Sequence, residues 1–301
     1  MAKKLIIICI LFSFMNPNLK AEEKNDSFSQ IRLTTIAQAH QGNSYVTILE
    51  GIGQIEHLWF EGNLIPSFYI RIREDSRLLG VLTPQVIIRM YQEESFPVRT
   101  PSYMPQATVY WSVYNKQRFE SLNIFGRLAH HSNGQQGDFF LEDGSINVKT
   151  GNFSTNYIEA GVIKTSLNKR FNAVRMFRSS VQVHPPILSV DELDNIYSFY
   201  RWNNFIYIFK LNKSENEFNK SQKANISLKA ELNWFFGDFN NNSFLDIDRI
   251  TFSTTFTYHP SFFEDIVLFA QYYYGKDYYN MYFSNTLNVF RVGIMTELIR
   301  F

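Results

Sequence analysis

Within residues 225–236, apolar and polar side chains alternate as far as Trp234, and this alternation constrains the fold more than any other feature of the chain. The apolar parity holds Ile226, Leu228, Ala230, Leu232 and Trp234, and the polar parity holds Asn225, Ser227, Lys229, Glu231 and Asn233. Because side chains of a β-strand alternate between its two faces, the segment is predicted to be a strand with one apolar and one polar face. Lysine and glutamate opposite aliphatic residues are typical of a strand that contacts lipid with one face and lines a polar lumen with the other.

The composition favours the same architecture. Aromatic residues make up 17% of the chain, with 29 Phe and 17 Tyr. The mean hydropathy is nevertheless −0.21. Helices are not evident, because apolar residues rarely recur at spacings of three and four. We therefore predict an all-β fold, a twelve-stranded antiparallel transmembrane β-barrel, with strands near residues 43–50, 62–73, 78–92, 103–114, 120–132, 154–166, 170–183, 195–211, 223–236, 247–259, 264–274 and 287–301. A secreted β-sandwich or adhesin remains the alternative.

The first 21 residues are predicted to be a secretory signal peptide. Lys3 and Lys4 precede the apolar run 5–15, which is too short to span a membrane, and cleavage is expected after Ala21. The single cysteine lies inside the apolar run, so it is not placed to anchor a lipoprotein. Residues 22–301 are then expected to form one barrel domain without cysteine.

The charge of the exported chain excludes one class of partner. Removing the signal peptide deletes three lysines and no acidic residue, which changes the formal net charge from +1 to −2. A chain without a basic excess is not expected to bind nucleic acid. Export, abundant aromatic strand residues and modest hydropathy together indicate the outer membrane of a bacterium.

A histidine and a serine lie two residues apart at the end of the predicted strand 120–132. His130 and Ser132 share the parity of that strand's aliphatic residues, so a general base and a hydroxyl lie side by side on the face predicted to contact lipid. A serine nucleophile needs a base, and the base needs a third group that fixes its tautomer. Asn156 lies at the start of the next strand with the parity of the apolar Ile158, so a Ser132–His130–Asn156 triad is geometrically consistent.

The strand count predicts where this cluster lies. An even number of strands leaves both chain ends in the periplasm, so the fifth strand ends at the extracellular rim and the loop 133–153 lies outside the cell. His131 alternates to the lumen face and is interpreted as structural. The alternative for the stretch 130–134, His-His-Ser-Asn-Gly, is a hydrogen-bonded turn at the rim without catalytic function.

Several stretches of the sequence resemble the outer-membrane phospholipase A family. Residues 130–134 are similar to its His-x-Ser-Asn-Gly motif, and Asn156 matches its triad asparagine. Residues 93–106 are similar to its Ser-x-Pro-x-Arg and Tyr-x-Pro-Gln stretches. Tyr-Tyr-Tyr-Gly at 272–275 and Arg-Val-Gly-Ile at 291–294 resemble its last two strands.

The resemblance implies a calcium-dependent phospholipase A1/A2 that acts on membrane phospholipids as a homodimer. Ser132 would attack the ester carbonyl, His130 would act as general base and then acid, and Asn156 would orient His130. The backbone N–H of Gly134 would donate to the oxyanion. The implied Ca²⁺ ligands are Gln135 through its carbonyl, Asn152 or Ser154, and Ser95 from the second subunit, all of which offer the oxygen that calcium prefers.

The sequence departs from the family pattern at the calcium site. The family has arginine where Gln135 stands, which keeps the backbone carbonyl but removes a side-chain charge. The family's serine ligand corresponds to Asn152, so either Asn152 or the nearby Ser154 takes its place. Two rivals to the enzyme remain: a non-enzymatic barrel, as a small pore or an inactive relative, and a soluble secreted lipid-binding sandwich.

Overall fold

Strand pairing closes the sheet into a barrel in the computed structural model. The structure describes residues 30–49, 51–71, 76–116, 119–211, 224–240, 242–297, 299 and 301, so the predicted signal peptide lies outside the described residues. The strand segments are β1 Tyr45–Thr47, β2 Leu58–Leu64, β3 Phe68–Ile70, β4 Leu78–Tyr91, β5 Ser102–Lys116, β6 Glu120–Ser132, β7 Ser154–Asn168, β8 Ala173–Val183, β9 Tyr200–Leu211, β10 Ala224–Phe236, β11 Ile250–Tyr258, β12 Ile266–Lys276 and β13 Thr286–Thr296.

Each described strand pairs antiparallel with its neighbours, and β1 pairs with both β2 and β13 to close the circle. β2 and β3 pair one after the other with β4, so the two segments form one interrupted strand of a twelve-stranded barrel. The interruption at 65–67 contains Pro66, which has no N–H for a ladder bond. The predicted class and strand count are therefore confirmed, and the predicted strand 62–73 is observed as two segments.

The two faces of the wall differ as the alternation predicts. On β10 the side chains of Ile226, Leu228 and Leu232 are exposed on the outside, whereas Lys229 and Glu231 face the lumen and form an ion pair at 2.9 Å. No helix in the described part of the chain is long and apolar enough to cross a membrane.

A short helix, α1 (Leu33–Gln41), lies inside the barrel, so the expectation that no helix is present was wrong. Ile36, Ala37 and His40 are almost fully buried among luminal side chains. The helix has nine residues and no side-chain cap at its first turn. Isolated helices of this length are marginal, so burial inside the barrel provides its stability, and a search for long amphipathic runs misses it.

Charged side chains fill the lumen in paired groups. Glu61 bridges Arg89 at 2.7 Å and Arg291 at 2.6 Å, and Arg89 also binds Asp277 at 2.8 Å. These groups are at most 4% exposed. A buried charge is tolerated when it is paired and hydrogen-bonded, so the network ties β2, β4 and β13 across the closure of the barrel.

A second buried group supports the wall formed by β6 and β7. Arg127 of β6 contacts Glu159 of β7 at 3.1 Å, and Arg178 of β8 reaches the same carboxylate at 3.5 Å. Arg127 also donates to the side chain of Gln41 at the end of α1, at 3.0 Å. The luminal helix is thus bonded to the inner face of the strand pair that carries the candidate site.

The two ends of the barrel are built differently. The end that carries the loops 92–101, 133–153, 184–199 and 277–285 is called the upper rim here, and the opposite end, which contains α1, is the lower rim. Aromatic side chains from the long loops pack together at the upper rim, among them Phe139, Phe153, Tyr197 and Phe283. This packing holds the loops over the ends of β6 and β7.

Candidate active site

The pairing of β6 with β7 brings the candidate residues together. His130 lies opposite Asn156, and Ser132 lies opposite Ser154. The aliphatic Leu128 on the same outer face is 60% exposed. All four polar side chains therefore lie on the outer face of the wall at the upper rim, as the alternation predicts.

His130 and Asn156 form a direct side-chain contact. Nδ1 of His130 lies 3.0 Å from Oδ1 of Asn156. An amide oxygen only accepts a hydrogen bond, so Nδ1 carries the proton and Nε2 keeps a free lone pair. This tautomer is the one that a general base toward Ser132 requires.

The other half of the Asn156 amide is also fixed. Its Nδ2 donates to the backbone carbonyl of Leu188 at 2.6 Å. This contact assigns the orientation of the amide, because the nitrogen faces a carbonyl and the oxygen is left for His130. Asn156 thus joins His130 on β6 to the loop after β8.

Sequence reasoning missed the segment that supplies this carbonyl. Residues 186–188 form a single 3₁₀ turn that begins at Pro186 and is preceded by Pro185. The next residues add to the edge of β7: Ser189 contacts Thr155 at 2.7 Å and the N–H of Val190 donates to Ser154 at 3.0 Å. The Pro185-Pro186 pair was the available signal, because two prolines restrict the chain to a turn.

Ser132 is half-buried beside the histidine. Its neighbours across the sheet are Ser154 on β7 and Tyr103 on β5. Within the described residues no hydrogen bond joins its hydroxyl to His130. Catalytic hydrogen bonds are often long in the free enzyme and tighten when substrate is bound.

The β5–β6 ladder is interrupted beside His130. Tyr103 pairs with Ser132 and Gln106 pairs with Ala129, and the residues between them have no ladder partner on β6. Pro105 lies in this gap and lacks an N–H. The backbone next to His130 therefore lacks ladder hydrogen bonds to β5.

An apolar groove of about 830 Å³ extends down the outer wall from the candidate site. His130 and Asn156 line it together with apolar side chains, including Phe68, Leu82 and Leu128. Such a surface accepts hydrocarbon.

Asn133 holds the turn that follows Ser132. Its side chain is buried: Oδ1 accepts from the N–H of Gln135 at 3.2 Å and of Phe153 at 3.0 Å, and Nδ2 donates to Gly151 at 2.8 Å. Between them Gly134 is exposed with a φ of 68°, a conformation that favours glycine. The turn is thus fixed with the Gly134 N–H free of any backbone acceptor among the described residues.

The residues implied as calcium ligands lie in the same loop region. The side chains of Asn152 and Ser154 make no hydrogen bond to any other described residue, and they flank the strand end opposite Ser132. With the carbonyl of Gln135 they form a neutral set of oxygen donors, which fits Ca²⁺ in ligand type. The described residues contain no cluster of three His, Cys, Asp or Glu suited to a metal.

Ser95 lies apart from the other implied ligands. It is exposed in the β4–β5 loop with a φ of 67° and makes no contact with Gln135, Asn152 or Ser154 among the described residues. Arg99 anchors this loop by a bond to Glu56 at 2.7 Å. The serine is therefore accessible at the upper rim, where a second molecule can reach it.

His131 has a structural environment. It is 6% exposed, faces the lumen, and packs edge-on against Phe153 at 4.8 Å. In the lumen beside it, Nδ1 of His184 is hydrogen-bonded to the hydroxyl Oγ1 of Thr155 at 3.0 Å. Burial lowers the pKa of His184 well below its ordinary value, and the charge of Arg201 adds to this.

Comparison with known proteins supports the fold. No protein-family model and no curated sequence matches the chain. Outer membrane phospholipase A from Escherichia coli matches with a TM-score of 0.57 and 12% identity over 89% of this chain and 98% of that chain. A variant of it with an active-site asparagine changed to alanine gives 0.56 and 12% over 92% and 95%. A Salmonella typhi outer membrane phospholipase dimer with bound calcium gives 0.53 and 12% over 92% and 95%. The resemblance seen in the motifs thus extends to the whole barrel.

Proposed function

We propose that this protein is a calcium-dependent phospholipase A1/A2 of the bacterial outer membrane that hydrolyses acyl esters with a Ser132–His130–Asn156 triad. One observation carries the proposal: the 3.0 Å contact between His130 Nδ1 and Asn156 Oδ1 on the outer wall, two residues from a serine on the same face. The structurally similar proteins are named as outer membrane phospholipases, and one variant is named for its active-site asparagine.

The first chemical step follows from the tautomer of His130. With its Nδ1 proton held by Asn156, Nε2 takes the proton of the Ser132 hydroxyl as the oxygen attacks the ester carbonyl. The same nitrogen then returns the proton to the leaving alcohol. Water attacks the acyl-enzyme by the reverse sequence and releases the fatty acid.

The negative charge of the tetrahedral state develops next to the turn after Ser132. The N–H of Gly134 is the proposed donor, and the three bonds of Asn133 fix this turn before substrate arrives. Donors that are already in place stabilise the transition state without reorganisation. Asn133 is therefore proposed as a positioning residue for the oxyanion donor.

Calcium is proposed to bind beside this turn. The carbonyl of Gln135, the side chain of Asn152 or Ser154, and Ser95 of a partner subunit would hold it, and the bound cation would supply positive charge near the oxyanion. One N–H is a small oxyanion site, so the added charge explains a requirement for the metal. The outward position of Ser95 supports its use between two subunits of a homodimer.

The substrate is proposed to enter from the lipid phase. The triad lies on the outer wall at the end of an apolar groove of about 830 Å³. Phospholipid acyl chains match this lining, and the ester lies where a chain meets its headgroup. The extracellular rim is the proposed position of the site, since it lies at the end of the barrel opposite to α1 and Phe301.

A pore is disfavoured by what fills the lumen. Helix α1 and aromatic side chains such as Tyr207 and Phe209 pack together at the lower rim. Two ion-pair networks occupy the middle. An inactive relative of the enzyme is the remaining alternative.

Acyl release from mixed phospholipid–detergent micelles tests the proposal. The wild type should release fatty acid with calcium and lose nearly all activity in chelator. Ser132→Ala should be inactive in both conditions and should keep the heat-modifiable migration of a folded barrel. A folded wild type that releases no fatty acid with calcium, or an active Ser132→Ala, would overturn it.

A further inference from the structure

A polar chamber lies on the luminal side of the wall that carries the triad. It measures about 260 Å³, and its lining includes Arg201, His131 and Ser198. A cavity of this size with polar walls holds several waters or a small ligand. His131 stands between His130 and Ser132 in sequence and faces the opposite way, so the chamber lies directly behind the candidate site.

Arg201 enters the chamber as a cation without a carboxylate partner in the described part of the chain. Its Nε donates to the carbonyl of Ser198 at 3.3 Å, and its two terminal nitrogens have no acceptor among the described residues. The guanidinium lies over the rings of Tyr197 at 4.7 Å and Phe235 at 4.9 Å. These rings hold the charged plane in position and leave its terminal N–H groups toward the chamber.

The carboxylates that line the chamber already have cationic partners. Glu159 is shared by Arg127 and Arg178, and Asp277 binds Arg89 through two bonds of 2.8 and 2.9 Å. The third carboxylate, on β10, binds its neighbouring lysine. Arg201 therefore adds positive charge that the lining does not neutralise.

Two buried nitrogens that line the chamber have no hydrogen-bond partner: one is a guanidinium donor, and the other, on an imidazole, is a donor when it carries the ring proton. Nε2 of His131 and Nε of Arg178 are both buried and unpaired among the described residues. His131 is 6% exposed and Arg178 is 8% exposed. A buried donor without an acceptor costs free energy, so a ligand that accepts hydrogen bonds would be favoured here.

We propose that this chamber binds a small oxyanion of the phosphate class, held by the terminal nitrogens of Arg201 and the Nε2–H of His131. Guanidinium groups bind tetrahedral oxyanions through two parallel hydrogen bonds. The remaining oxygens of the anion can accept from Arg178 and from neutral side chains of the lining, such as Asn203. The partly exposed Arg201 marks the side of the chamber that solvent reaches from the upper rim.

Calorimetric titration of the refolded barrel in detergent with inorganic phosphate, at constant ionic strength in chloride, tests the site. The wild type should bind saturably at one site, and Arg201→Gln should bind at least about tenfold more weakly. Arg175→Gln is the matched control, because it makes the same substitution at an exposed arginine on the outer face of β8. Absence of saturable binding, or equal loss in both variants, would overturn the proposal.

A crystal structure of the wild type grown in selenate tests the same site without requiring that a variant fold. The expected result is an anomalous selenium peak between Arg201 and His131. A chamber that holds water alone, or a peak elsewhere, would contradict the site. His131→Phe keeps the aromatic contact with Phe153 and should weaken phosphate binding several-fold.

A second titrant distinguishes free inorganic phosphate from a phosphate ester as the ligand of the site. Glycerol 3-phosphate that binds as tightly as inorganic phosphate indicates a site open to phosphate esters, whereas binding of inorganic phosphate alone indicates the free ion. Ser132→Ala leaves the chamber intact and should bind phosphate like the wild type. Phosphate binding to this variant therefore tests the oxyanion site independently of the hydrolytic activity.

Discussion

The outer and inner faces of the β6–β7 pair carry different chemistry, in two groups that lie three ladder positions apart. On the outer face, the hydrogen-bonded pair His130 and Asn156 lies beside an apolar groove. On the inner face, the charged pair Arg127 and Glu159 is buried and bonded to a luminal helix. Charged side chains are costly on a lipid-facing surface, and an amide in place of a carboxylate avoids this cost in the proposed triad.

We expect the outer face of the β6–β7 pair to determine activity and the inner face to determine stability. Changes on the outer face should lower activity and leave the barrel stable. Changes on the inner face should lower the free energy of unfolding first. Measurements of ester hydrolysis and of the free energy of unfolding can test this division between the faces.

The largest expected effect is on the outer face. Ser132→Ala should lower ester hydrolysis by roughly 10⁴-fold or more, because the nucleophile is lost. Acyl release from mixed micelles measures it. Ser166→Ala is the control, since Ser166 lies on the same outer face of β7 toward the lower rim. Activity of Ser132→Ala within about tenfold of the wild type would reject the triad.

The inner face should respond in stability. Arg127→Met removes the closer of the two cations that neutralise Glu159 and should lower the free energy of unfolding by about 3–5 kcal/mol. Urea unfolding in detergent, followed by the heat-modifiable gel shift, measures it. Arg175→Met on the outer face of β8 should change the free energy by less than about 0.5 kcal/mol. Equal stabilities of the two variants would contradict the division.

Calcium removal should act on the outer face alone. Excess chelator should lower hydrolysis by about 10²–10³-fold, the cost of losing one oxyanion-stabilising group, and should leave the unfolding midpoint of the monomer unchanged. Ser95→Ala should raise the calcium concentration needed for half-maximal activity and weaken the crosslinked dimer. A monomer that keeps full activity in chelator would reject the calcium and dimer proposals and leave the triad untouched.

Asn156→Ala should be milder than loss of the serine. The base and nucleophile remain, but the histidine loses its orienting partner, and a misplaced base costs about 10² in rate. The expected pattern is a lower kcat with little change in KM. Asn204→Ala, an outward amide on β9, serves as the control. An Asn156→Ala variant with wild-type kcat would show that the amide does not orient the base.

The smallest expected effect concerns pH and the inner face. The folded pKa of His184 lies well below its unfolded value near 6.5 because of burial. The unfolded state therefore binds more protons below pH 6.5, so stability should fall as pH decreases through that window, by at most about 1.4 kcal/mol per pH unit for this group. His184→Gln should flatten the slope between pH 6.5 and 5. An unchanged slope would assign the pH dependence to other groups.

The alternation of apolar and polar residues allowed the strand faces to be predicted from the sequence. The strand faces follow from a period of two, so the outward parity of His130 and Ser132 needed no knowledge of distant contacts. The strand count followed from the same pattern. The position of Asn156 opposite His130 followed from antiparallel pairing of neighbouring strands, which is also local.

Other features depended on contacts between distant parts of the chain. The bond from Asn156 to the carbonyl of Leu188 joins residues 32 positions apart, and a backbone acceptor leaves no mark in side-chain patterns. Arg291 finds Glu61 across 230 positions, because barrel closure brings the first and last strands together. Helix α1 is stable only inside the lumen. The sequence determined which face each side chain occupies, since alternation is a local property of the backbone, and the tertiary structure decided the partners, since pairing across the lumen depends on how the barrel closes.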